Sequence, residues 1–103
     1  MALFSHAVNI VDIQQGLELG PECSAKLTRL RHGPPMIGRV TDGQKVWEFT
    51  YSNTYSGGPP KFKFTTGWLE LAGQKNLKPG NKVSFYDNAE KTTKVPYIIE
   101  VRR

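Results

Sequence analysis

Large apolar residues fall on every second position in several short segments of the chain, which is the pattern of half-buried β-strands. The pattern is clearest over residues 36–41 and 46–52, where Trp47, Phe49 and Tyr51 share one side of the second segment. An Asp-Gly pair begins the short connection between the two segments. Because such a pair favours a tight turn, we predict a β-hairpin here.

Five further segments carry the same alternation more loosely. We predict strands over residues 2–12, 17–19, 61–64, 82–86 and 95–103. The first two are separated by a short loop that contains Gln14 and Gln15, and residues 53–60 form a longer polar loop rich in Gly and Pro. Seven short strands predict a mainly β fold of the barrel or sandwich type, because closure of the sheet avoids exposed edges.

Two segments have apolar residues at helical spacing, and each predicts a short helix. The first covers residues 21–30 and begins with a proline, which suits the first turn of a helix. The second covers residues 67–76. We expect Thr65 or Thr66 to cap it, because a hydroxyl oxygen can accept a hydrogen bond from a free amide of the first turn.

Length and charge limit the class of protein. The 103 residues suit one domain, and we expect residues 1–103 to form a single one. Fourteen Lys and Arg against nine Asp and Glu give a net charge of +5. This excess favours a polyanionic partner, although a merely basic soluble domain would show it too. No apolar stretch approaches the roughly 20 residues of a membrane span, so we expect no membrane partner.

The sequence contains no pattern typical of a catalytic or metal site. The single cysteine, Cys23, excludes an internal disulfide, and with His6 and His32 it matches no zinc spacing. Nothing brings that cysteine close to either histidine for nucleophilic catalysis, and the glycines at 57–58 lack the ending of a phosphate-binding loop. We therefore expect no enzymatic activity, no small-molecule substrate, no metal and no cofactor.

The middle of the chain, residues 40–85, resembles the plant B3 DNA-binding domain. The motifs that carry the resemblance are, in order, Asp42-Gly43, Trp47, Phe64-Thr65-Thr66-Gly67-Trp68, Leu71, Leu77, Gly80-Asn81, Val83 and Phe85. The family usually has aspartate at the position of Asn81. The N-terminal third is similar more loosely, at Asp12-Ile13 and at residues 17–19.

The resemblance implies a seven-stranded open pseudobarrel with two short helices. It also implies two arms that bind the major groove of double-stranded DNA, a groove wide enough for a strand ribbon. The first arm would be residues 12–16 and the second residues 50–61, and we expect both on one positively charged face. The implied function is sequence-specific DNA binding by a plant transcription regulator in the nucleus.

An alternative keeps the same fold but not the function. The chain has Glu48 and Thr50 in a strand where well-studied family members carry arginine. Its first arm holds the uncharged Gln14 and Gln15, where the family usually has lysine or arginine. These departures are compatible with a protein-interaction module that has protein partners and binds DNA weakly or not at all.

The candidate DNA-binding residues lie on the two arms. Glutamine and asparagine can read adenine with two hydrogen bonds, lysine can bind phosphate, and a tyrosine hydroxyl can donate to phosphate or sugar. Ordinary turn chemistry and a solvated polar face are the alternative explanations of the same residues. The set is Gln14, Gln15, Tyr51, Ser52, Asn53, Thr54, Tyr55, Lys61 and Lys63.

Two expectations concern the scaffold. Large apolar residues at regular spacing are expected in the core, with Trp68 buried between the second helix and the barrel. The residues concerned are Trp47, Phe64, Trp68, Leu77 and Phe85. The turn that follows Leu77 should place Gly80 or Asn81 at a positive φ, a conformation that glycine and asparagine tolerate best.

Overall fold

A computed structural model describes residues 2–27, 36–54, 61–88 and 95–102, and for Asn53 and Thr54 it describes the backbone alone. Seven strands and three helices lie in these ranges. In chain order they are β1 (Phe4–Ala7), α1 (Ile10–Gln15), β2 (Leu17–Glu18), α2 (Pro21–Ala25), β3 (Ile37–Thr41), β4 (Val46–Thr54), β5 (Lys61–Phe64), α3 (Trp68–Gln74), β6 (Lys82–Asp87) and β7 (Tyr97–Arg102).

The seven strands form one mixed sheet that curves into a half-barrel, in the order β1-β6-β7-β3-β4-β5-β2. Neighbouring strands are antiparallel except β3 and β7, which run parallel. The nine-residue strand β4 pairs with β3 over Val46–Thr50 and with β5 over Tyr51–Thr54. This strand therefore joins the two halves of the sheet, and it confirms the predicted hairpin.

The core fills the inside of the half-barrel with the alternate side chains of the strands. In β4 and β5 the rings of Phe49 and Phe64 lie 5.5 Å apart and tilted, and Phe49 meets Trp68 of α3 edge-on at 6.2 Å. Burial of such side chains is worth roughly 1.5–3 kcal/mol each. All five residues predicted for the core are buried, namely Trp47, Phe64, Trp68, Leu77 and Phe85.

The predicted strand over residues 2–12 is wrong in its second half, because the chain forms β1 and then α1. Asn9 caps this helix: its Oδ1 accepts from the N–H of Asp12 at 2.8 Å, while Asp12 Oδ2 accepts from the N–H of Asn9 at 3.0 Å. This reciprocal capping box satisfies two amide groups that have no partner within the helix. Gln14 and Gln15, predicted in a loop, therefore lie in the last helical turn, and the described residues contain three helices where two were predicted.

The helix α3 begins without the predicted threonine cap. Its N-cap is Gly67, at φ +86°, and no side chain caps it. Thr65 and Thr66 instead pair with β4: the N–H of Thr65 donates to the carbonyl of Thr50, and the N–H of Thr50 donates to the carbonyl of Thr66, both at 2.9 Å. The chain passes so close to β4 that a Cβ at position 67 would overlap the carbonyl oxygen of Glu48. Glycine is required at this crossing.

The turn after α3 agrees with the prediction. Gly80 has φ +96°, and the Oδ1 of Asn81 accepts from the N–H of Lys78 at 2.8 Å. The same turn pairs with the residue after β1, because the N–H of Gly80 donates to the carbonyl of Val8 at 2.9 Å. The turn is thus part of the packed fold.

The hairpin turn between β3 and β4 is organised by Asp42. Its Oδ1 accepts from the N–H groups of Gln44 and Lys45, and its Oδ2 accepts from the indole of Trp47 at 3.1 Å and from the ammonium of Lys75 at 2.9 Å. Burial alone would raise the pKa of Asp42, but these hydrogen bonds together hold its pKa well below the ordinary value. The ionised carboxylate is therefore favoured by folding.

The bounds of two predicted elements differ from those in the structure. Of the predicted first helix, α2 covers Pro21–Ala25, and residues 28–30 lie outside the described residues. The last strand begins at Tyr97 and not at Val95. In the described part of the chain, the longest helix is α3 and no helix has the length or hydropathy of a membrane span.

Candidate nucleic-acid interface

An open cleft of about 380 Å³ lies between α1 and β5. One wall comes from the first turn of α1 and its cap, through Asn9, Val11 and Asp12. The opposite wall comes from β5, through Lys61 and Lys63, and from Glu18 of β2, which pairs with Lys63. Asp12 and Gly16 of the first predicted arm therefore line the same cleft as Lys61, the last residue of the second predicted arm. We call this feature the α1–β5 cleft.

Strand β5 presents its two lysines outward because the alternate residues are apolar. Phe62 and Phe64 are buried, whereas Lys61 and Lys63 are partly exposed, so both ammonium groups belong to the outer face. The backbone beneath them is fixed from the inside, since the buried hydroxyl of Ser24 accepts from the N–H of Phe62 at 3.0 Å. The two positive charges thus stand on a rigid strand.

The end of α1 lies directly against β5. Gly16, which follows the helix, has φ +131° and would place a Cβ 2.7 Å from the carbonyl oxygen of Phe64 and 3.2 Å from Cε of Lys63. Any side chain at this position would push the helix away from the strand. Gln14 and Gln15 are exposed in the turn just before this contact. The glutamines therefore directly precede a glycine that packs against β5 beside Lys63.

Strand β4 continues the same face. Ser52 is exposed and pairs with Lys63, and the backbones of Asn53 and Thr54 pair with Phe62 and Lys61. Ser52 thus lies beside the α1–β5 cleft, where it was predicted to bind DNA. Tyr55, the remaining predicted residue of this arm, lies outside the described residues.

Tyr51 is a correction to the predicted set. It was expected to border the polar loop, but its side chain is buried in the core, with 3% of its surface exposed. Its ring meets Phe62 edge-on at 5.5 Å and Phe64 at 5.9 Å. Tyr51 follows Trp47 and Phe49 on the inner side of β4, so the alternation of the strand decides its direction. A buried ring cannot reach a groove, and we exclude Tyr51 from the candidate interface.

Sequence reasoning missed the network that holds α1. The buried Asp12 accepts a hydrogen bond from Nε2 of His6 in β1 at 3.0 Å, and its backbone carbonyl accepts from the indole of Trp68 at 2.8 Å. A signal for it was present, because an asparagine followed three residues later by an aspartate fits a capping box. Asp12 therefore links α1 to both β1 and α3.

The outer face of the β3–β4 hairpin carries no excess of positive charge in its described residues. Arg39 pairs with Glu48 across the two strands, with 3.7 Å between Nε and Oε1. Both side chains are exposed, and such pairs are worth roughly 0–1 kcal/mol. Ile37 and Val46 are also exposed on this hairpin. The described outer face of this hairpin therefore has no net positive charge to meet a phosphate.

No cluster of three or more His, Cys, Asp and Glu side chains with metal-site geometry occurs among residues 2–27, 36–54, 61–88 and 95–102. Cys23 is partly buried, and burial is the main cause that raises the pKa of its thiol. Among the described residues, neither a metal-binding cluster nor the Cys23 thiol therefore contributes to the α1–β5 cleft.

Two solved structures from Arabidopsis have a similar fold. The FUS3–DNA complex superimposes with a TM-score of 0.75 at 17% sequence identity, over 100% of this chain and 98% of that one. The hypothetical Arabidopsis thaliana protein At1g16640.1 gives a TM-score of 0.62 at 17% identity, over 95% of this chain and 86% of that one. No family model and no curated protein matches the sequence. The chain has the B3 pseudobarrel fold, which confirms the fold that the sequence resemblance implied.

Proposed function

We propose that this chain binds double-stranded DNA in the major groove and acts as a sequence-specific transcription regulator in a plant nucleus. The observation that carries the proposal is the α1–β5 cleft, where an exposed helical turn lies against a strand with two outward lysines. The fold adds support, because FUS3, which shares it, was solved in complex with DNA. The net charge of +5 has the sign that a phosphate backbone attracts.

The lysines that line the cleft and the exposed glutamines at the end of α1 have different chemistry, and we assign them different roles. Lys61 and Lys63 bind phosphates, which fixes the position of the protein on the duplex without reading sequence. Gln14 and Gln15 approach base edges, where an amide side chain can form two hydrogen bonds with adenine. Asn53 acts with them from the second arm. The major groove, about 12 Å wide, admits such a combination of a helical turn and a strand.

The experiment begins with selection of bound duplexes from a random pool, followed by affinity measurements on the selected duplex and on random DNA. Lys61→Ala should weaken both duplexes alike and lower the slope of log K against log salt by about one. The matched control is Lys45→Ala, which removes the same charge from the β3–β4 turn and should leave the slope unchanged. Equal effects of the two variants would contradict a phosphate role for β5.

Variants of the proposed base-reading residues should affect the selected duplex and random DNA unequally, in contrast to Lys61→Ala. Gln14→Ala and Asn53→Ala should weaken the selected duplex by roughly 1–3 kcal/mol and leave random DNA almost unaffected. Equal losses on both duplexes would show that these residues only position the chain.

A protein-interaction module is the second candidate, and one observation favours it. The hairpin face with Ile37 and Val46 exposed beside the neutralised Arg39–Glu48 pair offers apolar surface without net charge. Failure of the parent protein to enrich any duplex would favour this candidate over DNA binding.

A further inference from the structure

The helix α1 is too short to hold its own position. It has six residues, and isolated helices shorter than about 12–15 residues are marginal even in favourable sequences. Its first turn is also exposed, since about half of the surface of Ile10 and Val11 faces solvent. Of its apolar residues Ile13 packs against the core, and the place of α1 in the molecule therefore depends strongly on specific anchors.

Asp12 supplies three of those anchors, because it accepts three hydrogen bonds. Its Oδ2 accepts from the N–H of Asn9 at 3.0 Å and from Nε2 of His6 at 3.0 Å. Its backbone carbonyl accepts from the indole of Trp68 at 2.8 Å, in the buried interior. The carboxylate thereby ties the start of α1 to β1, and the carbonyl ties the middle of the helix to α3.

We propose that Asp12 is a positioning residue for base reading: the His6–Asp12–Trp68 network fixes α1 so that Gln14 and Gln15 meet base edges while β5 holds the phosphates. This inference rests on the proposed function. Only 7% of the Asp12 side chain is exposed, so it acts through the helix and not by touching DNA. Hydrogen-bond recognition of a base tolerates an error of about 0.5 Å, which is why the anchors matter for specificity.

The molecule contains a matched control in Asp42. Its side chain is exposed to 8%, close to the value for Asp12, and its carboxylate likewise accepts from backbone N–H groups and a basic side chain. The indole of Trp47 donates to the carboxylate of Asp42, whereas the indole of Trp68 donates to the backbone carbonyl of Asp12. Yet Asp42 lines a different cleft, beside Lys75 and β7, which shares no described residue with the α1–β5 cleft. Loss of either carboxylate should destabilise the fold, but only loss of Asp12 should disturb α1.

The hydrogen bonds of Asp12 and Trp68 indicate which conservative variant to use at each of these two residues. Both side-chain hydrogen bonds of Asp12 go to the same oxygen, so the amide oxygen of Asp12→Asn can replace it, whereas Asp12→Ala cannot. Trp68→Phe keeps an aromatic ring in the core, removes the indole donor to Asp12 and leaves a small cavity. Its control is Trp47→Phe, which removes the indole donor to Asp42.

The test compares discrimination, the ratio of affinities for a duplex selected by the parent protein and for a random duplex, at a temperature where every variant is folded. Asp12→Ala and Trp68→Phe should lose about tenfold or more in this ratio, since each good base contact discriminates by that order. Their affinity for random DNA should stay within about twofold, because phosphate contacts carry the non-specific term. Asp12→Asn should keep the ratio, as should Asp42→Ala and Trp47→Phe despite lower melting temperatures.

Amide hydrogen exchange of the free protein supplies a readout without DNA. Asp12→Ala should speed exchange at Gln14 and Gln15, and Asp42→Ala should not. Unchanged discrimination in Asp12→Ala, or an equal loss in Asp42→Ala, overturns the positioning role while the proposed function stands. A parent protein that does not discriminate between duplexes overturns the proposed function, and this inference falls with it.

Discussion

Replacement of Gly67 by alanine tests whether α3 is held against β4 by a backbone crossing. An alanine Cβ would overlap the carbonyl oxygen of Glu48 and lie 2.8 Å from its carbonyl carbon. The φ of +86° adds a second cost, because a side chain disfavours this region of backbone conformation. Gly67→Ala should therefore be destabilising for two independent reasons.

The expected loss in the free energy of unfolding of Gly67→Ala is the sum of a conformational cost and a packing cost. A positive φ costs a non-glycine residue roughly 1–2 kcal/mol. The overlap is relieved only if the start of α3 moves off β4, which loosens the packing around Trp68 and Leu71, both fully buried. Lost core packing of this kind costs roughly 2–5 kcal/mol. The sum is a large part of the roughly 5–15 kcal/mol that stabilises a domain of this size.

Gly80→Ala is the matched control for this prediction. Gly80 has φ +96°, but no atom lies within 4 Å of the place where its Cβ would be. This variant carries the conformational cost alone. Urea unfolding followed by tryptophan fluorescence gives the free energy of unfolding of both variants at comparable slope. Gly67→Ala should lose at least about 2 kcal/mol more than Gly80→Ala, and equal losses would refute the crossing.

Three further predictions concern other contacts. Asn81→Asp should be nearly neutral and Asn81→Val should cost about 1 kcal/mol in urea unfolding, because only valine leaves the N–H of Lys78 without its acceptor; equal stability would refute the turn role. The free energy of unfolding should fall as the pH drops below about 4, because folding lowers the pKa of Asp42. The stability that its ionised carboxylate contributes is complete above the pKa of the unfolded chain and is lost as the pH falls towards the pKa of the folded protein. Asp42→Asn should flatten that acid limb, and an unchanged limb would contradict it. Glu48→Arg should tighten DNA binding at low salt, since it replaces a repelling charge on the strand that carries Ser52, and no change would place Glu48 away from the duplex.

Much of the scaffold could be predicted because its signals are local. The alternation around Trp47 and Phe64 decided which faces of β4 and β5 are buried, and the Gly80-Asn81 pair decided the turn. The same alternation places Tyr51 inside, so its predicted contact with DNA was wrong because the neighbouring polar loop was given more weight than the strand period. The strand order could not be read in this way, because the β1–β6 and β3–β7 pairings join distant segments.

The candidate interface was harder to predict, because the residues in and just before α1 favour a strand and not a helix. Val8, Ile10, Val11 and Ile13 are β-branched and favour a strand. The cap formed by Asn9 and the tertiary anchors on Asp12 override that preference. The hydrogen bonds from His6 to the Asp12 carboxylate and from Trp68 to the Asp12 backbone carbonyl depend on contacts that only the folded sheet creates. The lysines of β5, in contrast, follow directly from the period of two.

Contact of duplex DNA with the residues around the α1–β5 cleft can be followed in a single titration. The ¹⁵N-labelled protein is titrated at low salt with a duplex selected from a random pool, and the backbone amide resonances are followed. If DNA binds as proposed, the largest shifts should occur at Gln14, Gln15, Ser52 and residues 61–64. Shifts confined to the hairpin face around Ile37 and Glu48, or no shifts at any ratio of DNA to protein, would contradict it.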